Sequence, residues 1–178
     1  MMTSESRHGL IVICTGVILL VLDLITKFAV QNSFSLGESI PVWGEFIKFT
    51  YVLNPKGAFG ISVGSNTVHI VISLMVAAAV IYVLVKGFGQ NKLTDYALAG
   101  IISGAVGNLV DRIRLGKVVD FMDVNIPDIE FMSIHLRRWP VFNVADAAVT
   151  IGILLVLIVL IFGKQEKTSC SIPGTNSR

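Results

Sequence analysis

Charge is what this chain has least of. Asp, Glu, Lys and Arg make up 15% of its 178 residues, against about 25% in an ordinary soluble domain. Hydrophobic residues make up 53% and the mean hydropathy is +0.77, which argues against a soluble enzyme. A net charge of +2 without a basic run gives no nucleic-acid footprint, so no nucleic-acid partner is expected. The two cysteines, Cys14 in an apolar run and Cys170 in a polar tail, are too few for a disulfide framework. His8, His69 and His135 are scattered and form no His-Glu-x-x-His pair, which argues against a histidine-bound metal centre. A Ser/His or Cys/His nucleophile fails similarly, because Cys14 lies toward the wrong end of the first span and Cys170 in the tail. No internal or inverted repeat of the transporter kind is visible.

What is present is a set of four apolar runs, at 10–30, 68–85, 94–113 and 141–162, each near the roughly 20 residues that a membrane-spanning helix needs. The first could pass for a signal peptide. It lacks a clean small-residue cleavage site and continues past Asp23, so an uncleaved span is expected. The third, with Ala99, Ser103 and Gly107, has the small-residue spacing that lets helices approach closely in lipid. Between the first two spans lies a long excursion, 31–67. Its stretch Glu45-Phe-Ile-Lys-Phe-Thr-Tyr51 predicts a strand, and Asn54-Pro55-Lys56-Gly57 predicts a turn. A second excursion covers 114–140, a short connector 86–93, and a polar tail 164–178 is expected to be disordered. The expected architecture is a single all-α membrane domain over 1–163.

Four spans put both long excursions on one side of the membrane. The charges inside the spans crowd toward that side: Asp23 and Lys27 late in the first, Asp111 and Arg112 closing the third, Asp146 early in the fourth. An ionisable residue at the bilayer centre costs at least about 2.5 to 3.5 kcal/mol, and such residues usually mark function. Lys and Arg are balanced between the two sides. Charge bias therefore does not settle the orientation, although basic residues near the short connector favour both termini in the cytoplasm.

Several constellations could carry chemistry. Asn143 and Asp146 are three apart on one helix face beside Ala145. The bland reading is a helix cap, but a span starting at residue 141 would place Asp146 a turn inside. Gly104, Asn108, Asp111 and Arg112 share a helical stripe, readable equally as a functional site or a buried polar clamp. A cation on the first span or in the loop is the obvious partner for Asp111 or Asp23. Asp120 follows two valines, where a carboxylate is poorly solvated and its pKa should rise. Two carboxylates brought close share one proton, one acting as base on water while the other polarises a carbonyl. Spacing alone does not choose the pair among Asp111, Asp120, Asp123 and Asp146. Two rivals stay open: a Mg²⁺-dependent lipid phosphotransferase using Asp111, Asp120 and Asp123, and a small transporter subunit with Asp23, Lys27, Asp111 and Arg112 as a relay.

The segments Asp23-Leu-Ile-Thr-Lys27, Asn54-Pro-Lys-Gly-Ala-Phe-Gly60, Gly104-Ala-Val-Gly-Asn-Leu-Val-Asp-Arg112, Val118-Val-Asp-Phe121 and Phe142-Asn-Val-Ala-Asp146 resemble, in order, the motif set of the bacterial lipoprotein signal peptidase family, signal peptidase II. The resemblance implies a four-helix aspartic peptidase of the bacterial cytoplasmic (inner) membrane, with an extramembrane β-cradle over the first excursion and a periplasmic helix or loop over the second. Its site would lie near the periplasmic surface. The enzyme would act as a monomer, without a cofactor, on diacylglyceryl-modified prolipoproteins, cutting before the modified cysteine, in contact with membrane lipid and open to globomycin-type inhibitors. By the same resemblance Asp120 and Asp146 would be catalytic. Asn54, Asn108, Arg112 and Asn143 would line the substrate site, and Asp23, Lys27, Gly57, Gly104, Asp111 and Ala145 would support it. Ser103 stands where a Gly-Gly pair is common in the family, and Pro55-Lys56 interrupts the Asn-to-Gly-Ala-Phe motif.

Overall fold

The computed structural model describes residues 3–55, 65–125, 129–131, 134–136 and 139–162. In chain order the elements are α1 (Ser4–Ser33), β1 (Ser39–Trp43), β2 (Ile47–Asn54), α2 (Asn66–Gly87), α3 (Lys92–Leu115), β3 (Val118–Val124), β4 (Ile129–Phe131), β5 (Ile134–Leu136) and α4 (Val144–Phe162). All four helices are long and apolar enough to cross a membrane. Gly57 and the tail 164–178 lie outside the described residues.

Helix ends follow from local chemistry. The Thr3 hydroxyl accepts from the Ser6 N–H at the start of α1, and the Asn91 side chain accepts from the Leu93 and Thr94 N–H groups at the start of α3. Gly116, at φ 70°, ends α3 in the left-handed conformation, with its N–H on the Arg112 carbonyl. α4 begins at Val144, three residues later than the apolar run suggested. Phe142 is held in a β-bridge to Met122, which keeps the chain extended up to that point.

α3 is the central helix. Over half of its apolar window (56%) is buried, against 11% in each of the other three, and it packs on α1, α2 and α4. The other three therefore turn most of their side chains outward, as helices facing lipid do. Close approach of α3 to α4 depends on small residues. A Cβ at Gly104 would run into the Ala145 carbonyl oxygen, and one at Gly152 would lie 2.7 Å from the Ala97 carbonyl oxygen. Ser103 is accommodated: its hydroxyl lies 2.7 Å from the Gly16 carbonyl oxygen of α1 and 2.8 Å from that of Ala99, a bridge that needs no Cβ at position 16.

Both excursions meet in one antiparallel sheet, ordered β1-β2-β3. The register places Val52 opposite Asp120 and Asn54 opposite Val118. Tyr51, Val119 and Phe121 pack with Val30 of α1 and seat the sheet on the helical bundle. The strand expected at 45–51 is thus β2, shifted by about one turn of pleat toward Asn54. β1 falls within the β-cradle expected over 31–67, whereas β3 was not anticipated. Of the helix or loop expected over 114–140, the described residues form no helix beyond the end of α3: 118–124 is strand, and 129–131 pairs with 134–136 as a hairpin.

The expectation that span-embedded charge lies on one side also needs correcting. Asp95, in the first turn of α3, sits at the opposite end of the bundle and is 1% exposed. It accepts from the Gly89 N–H (3.1 Å) and pairs with His8 Nε2 (2.7 Å), tying α1 to the α2–α3 connector. Phe88 stacks on the His8 ring and Tyr96 meets it edge-on.

Gly104→Val should overpack the α3–α4 seam and destabilise the protein by about 1–3 kcal/mol. Gly87, with nothing near its Cβ direction, should accept alanine with a change within about 0.5 kcal/mol. Thermal unfolding in detergent reads both.

Candidate active site

The polar end of the bundle is organised by a buried ammonium. Lys27 is 2% exposed, and its Nζ reaches Asp23 Oδ2 at 2.8 Å, Asp111 Oδ2 at 3.0 Å and Asn108 Oδ1 at 2.9 Å. The cation expected as partner for Asp23 or Asp111 is therefore partner to both. Each of those carboxylates also accepts a backbone N–H. Asp23 Oδ1 takes that of Ala145 (2.8 Å), and Asp111 Oδ2 takes that of Val119 (3.1 Å). Gly107 makes room: a Cβ there would collide with Asp23 Oδ2. Asp23 and Asp111, each 1% exposed, are thus tied to the residues immediately before Asp146 and Asp120.

Two carboxamides continue the network. Asn108 Oδ1 is taken by Lys27, which turns its Nδ2 toward Asp146 Oδ1 (2.8 Å). Asn143 Nδ2 donates to Asp120 Oδ1 (2.7 Å) and lies 3.1 Å from Asn108 Oδ1, while Asn143 Oδ1 accepts from the Asp146 N–H (2.8 Å). Asn54 Nδ2, arriving from β2, donates to Asp120 Oδ2 at 2.8 Å. The cap reading set aside at the sequence level is therefore correct for Asn143: it caps α4, and Asp146 lies in the first turn. The same amide that caps the helix also bonds Asp120.

Of the four carboxylates that spacing left open, Asp111 is bound by Lys27, and Asp123 accepts from the Thr50 hydroxyl at 2.8 Å. Asp120 and Asp146 are the two joined through Asn143 and Asn108. Asp120 is 1% exposed, and burial pushes its carboxyl up from 3.8 to about 7. The nearby Asp146 charge adds to the rise, and the hydrogen bonds from Asn54 and Asn143 oppose it. Arg112, 8% exposed, sets its guanidinium within electrostatic reach of Asp146, Asp120 and Asp111. Gly104 and Ala145 face each other across the α3–α4 seam. Among the described residues, no group of three His, Cys, Asp or Glu side chains could hold a metal ion.

Sequence reading brought Asp23, Lys27, Asn54, Asn108, Asp111, Arg112, Asp120, Asn143, Ala145 and Asp146 to this neighbourhood, and the structure assembles all of them. It missed Thr50, whose hydroxyl diverts Asp123. The only available signal was the antiparallel register of β2 against β3, which spacing along one strand does not reveal.

Lys27→Met should leave Asp23 and Asp111 buried without their cation, a loss of about 3–5 kcal/mol. Thermal unfolding of the purified variant in detergent checks this.

Comparison with known proteins places this arrangement. Residues 15–162 match the family model for signal peptidase (SPase) II. The chain is 38% identical over 164 residues to the lipoprotein signal peptidase of Syntrophus aciditrophicus (strain SB), covering 89% of this chain and 96% of that one. It is 33% identical over 155 residues to the lipoprotein signal peptidase of Staphylococcus aureus (strain JH9), covering 87% and 90%. A bacterial membrane enzyme solved by the in meso method at 2.3 Å resolution superposes with a TM-score of 0.77 at 30% identity, over 91% of this chain and 94% of the other. A second such structure, at 1.9 Å, gives 0.73 at 31% identity, over 86% and 94%. Matched by the family model over residues 15–162 and by relatives over most of their length, this chain belongs to the signal peptidase II family of membrane peptidases.

Proposed function

We propose that the protein removes signal peptides from prolipoproteins on the N-terminal side of the diacylglyceryl-modified cysteine, with Asp120 and Asp146 as a catalytic dyad. The observation that carries this reading is the pair itself: two carboxyls linked by the Asn143 and Asn108 amides at the polar end of a lipid-facing bundle. Its elevated pKa lets Asp120 hold a proton near neutrality, so the pair carries one proton and one charge between them. The ionised carboxylate takes a proton from water as the water oxygen adds to the scissile carbonyl carbon. The protonated carboxyl gives its proton to the carbonyl oxygen, forming a gem-diol. The first carboxyl then protonates the leaving nitrogen, the C–N bond breaks, and a diol O–H proton returns to the other.

The supporting groups have matching roles. Asn54 and Asn143 hold Asp120 by neutral amides, which do not compete for the shared proton. Asn108 does the same for Asp146. Arg112, with its planar fork of donors, suits a substrate carbonyl or carboxylate. These four would line the site for substrate and for globomycin-type inhibitors, while Asp23, Lys27, Gly104, Asp111 and Ala145 hold the helices that deliver them. A substrate with an apolar signal helix and acyl chains arrives within the bilayer, and a site at one polar end of apolar helices admits it sideways with water above. We place that end at the periplasmic face of the inner membrane, with both termini cytoplasmic. One chain supplies every group of the network, so a monomer suffices.

Cleavage of a diacylglyceryl-modified prolipoprotein by purified protein tests the reading. Wild type should cut before the modified cysteine, with or without a chelator. Asp120→Asn and Asp146→Asn should each lose about 10²–10⁴-fold in kcat/KM while keeping their helical content. Unchanged cleavage by either variant would remove that residue from the dyad.

The pH dependence follows from Asp120. In the free enzyme kcat/KM should fall as pH rises through about 7, because the pair loses its shared proton. Stability moves in the same direction. A folded-state pKa above the ordinary 3.8 means the native protein binds the proton more tightly, so stability declines as pH rises from 3.8 to about 7. Unfolding midpoints measured from pH 4 to about pH 8 should show this decline in wild type and a smaller one in Asp120→Asn.

A further inference from the structure

α2 offers the protein one buried side chain, and it is polar. Its least exposed positions, among them Asn66, His69, Ser73, Ala77 and Val80, form the stripe that faces α3. Of these only His69 is buried, at 7% exposure. Its Nε2 has no hydrogen-bond partner among the described residues. Buried polar atoms without partners are rare in native interiors because the lost hydration is not replaced.

The depth of His69 is fixed by its neighbour. Asn66 Nδ2 donates to the Arg112 carbonyl at 3.1 Å, which sets the level of α2 against α3. His69 lies on the same face, about 4.5 Å further into the bundle. Since α2 and α3 run antiparallel, this is the level of Asn108, the residue that bonds Asp146. Among the described residues at that level, Lys27 is committed to three oxygens, Asn108 to Asp146, and Asn143 and Asn54 to Asp120, which leaves the Arg112 guanidinium and His69 Nε2 as the donors that could meet a substrate oxygen. Carboxylates and amide oxygens can receive a substrate's N–H groups, but its carbonyl oxygens need an N–H. Roughly 16 Å further along α2, Val80 and Val83 line an open apolar groove with Leu98, Ile101, Ile153 and Leu157. An unpartnered donor at the level of the site and an apolar groove beyond it along one helix face suit an amphiphile with a carbonyl at its head.

We propose that His69 is a specificity residue that donates from Nε2–H to a carbonyl oxygen of the lipidated substrate. That oxygen belongs either to a glyceryl ester or to a peptide group beside the scissile bond. The inference rests on the lipoprotein-processing reading above. A purely structural histidine is the competing account, and it makes the opposite statement about the free enzyme. Removing a packing or bonding group lowers stability, whereas removing an unpartnered polar atom leaves it unchanged or raises it.

The test uses full-length wild type, His69→Leu and His69→Gln in detergent. Each is assayed on a diacylglyceryl prolipopeptide and on its dialkyl ether analogue, and the unliganded Tm is recorded. His69→Leu should raise KM by about tenfold, the worth of one ordinary hydrogen bond. Its kcat should change little and its Tm should hold or rise. His69→Gln, which keeps a donor, should recover part of the KM. A loss confined to the ester substrate assigns the bond to the ester carbonyl; an equal loss on both assigns it to a peptide carbonyl. An unchanged KM, or a lowered Tm with no KM effect, overturns the proposal and leaves the peptidase reading intact. Failure of folded wild type to cut either substrate overturns that reading, and this inference with it.

Discussion

A single buried ammonium holds the working end of this protein together. Lys27 satisfies Asp23, Asp111 and Asn108 at once. An isolated charge at this depth would be expelled or neutralised; three oxygens at hydrogen-bond distance make it tolerable. The consequence reaches the dyad along two routes. Through Asp23 and Asp111 it fixes the backbone N–H groups of Ala145 and Val119, the residues directly before Asp146 and Asp120. Through Asn108 it fixes which way an amide points, since an oxygen given to Lys27 leaves the Nδ2 for Asp146. The carboxyls that would do chemistry are held by neutral groups, and the carboxylates that hold the backbone share the one cation, Lys27.

The bilayer imposes the remaining design. Helices in lipid gain little from burying apolar surface against one another, so α3 is drawn to its neighbours by close packing and by polar contacts. Gly104, Gly107 and Gly152 provide the closeness, and the Lys27 network provides the polar contacts. The two are coupled: without a bare Cα at 107, Asp23 could not reach its place. The small sheet closes this end by pairing β2 with β3, which brings Asn54 and Asp120 from excursions 66 residues apart into one hydrogen bond.

Much of this was legible in the sequence. Four apolar runs of membrane length dictated the spans, and charges in places where charge is costly marked one end of them. Alternation in 45–51 gave one strand. β3 was hidden because Val118-Val-Asp-Phe-Met-Asp-Val124 is buried on both faces and so shows no period of two. The start of α4 was misjudged because apolar Val141 and Phe142 look helical, but Phe142 is held extended by its bridge to Met122. Asp95 escaped notice because its partner, His8, is 87 residues away. The choice of Asp120 and Asp146 over Asp111 and Asp123 needed three-dimensional partners, Lys27 and Thr50, that spacing does not supply.

The most direct test is a structure of the wild-type enzyme with a lipidated peptide in which a hydroxyethylene unit replaces the scissile amide. With Lys27 still bonded to Asp23 and Asp111, the isostere hydroxyl should lie within hydrogen-bond distance of both Asp120 and Asp146 and of neither Asp111 nor Asp123. A hydroxyl bound to only one of the pair, or seated elsewhere on the bundle, would contradict the shared-proton dyad.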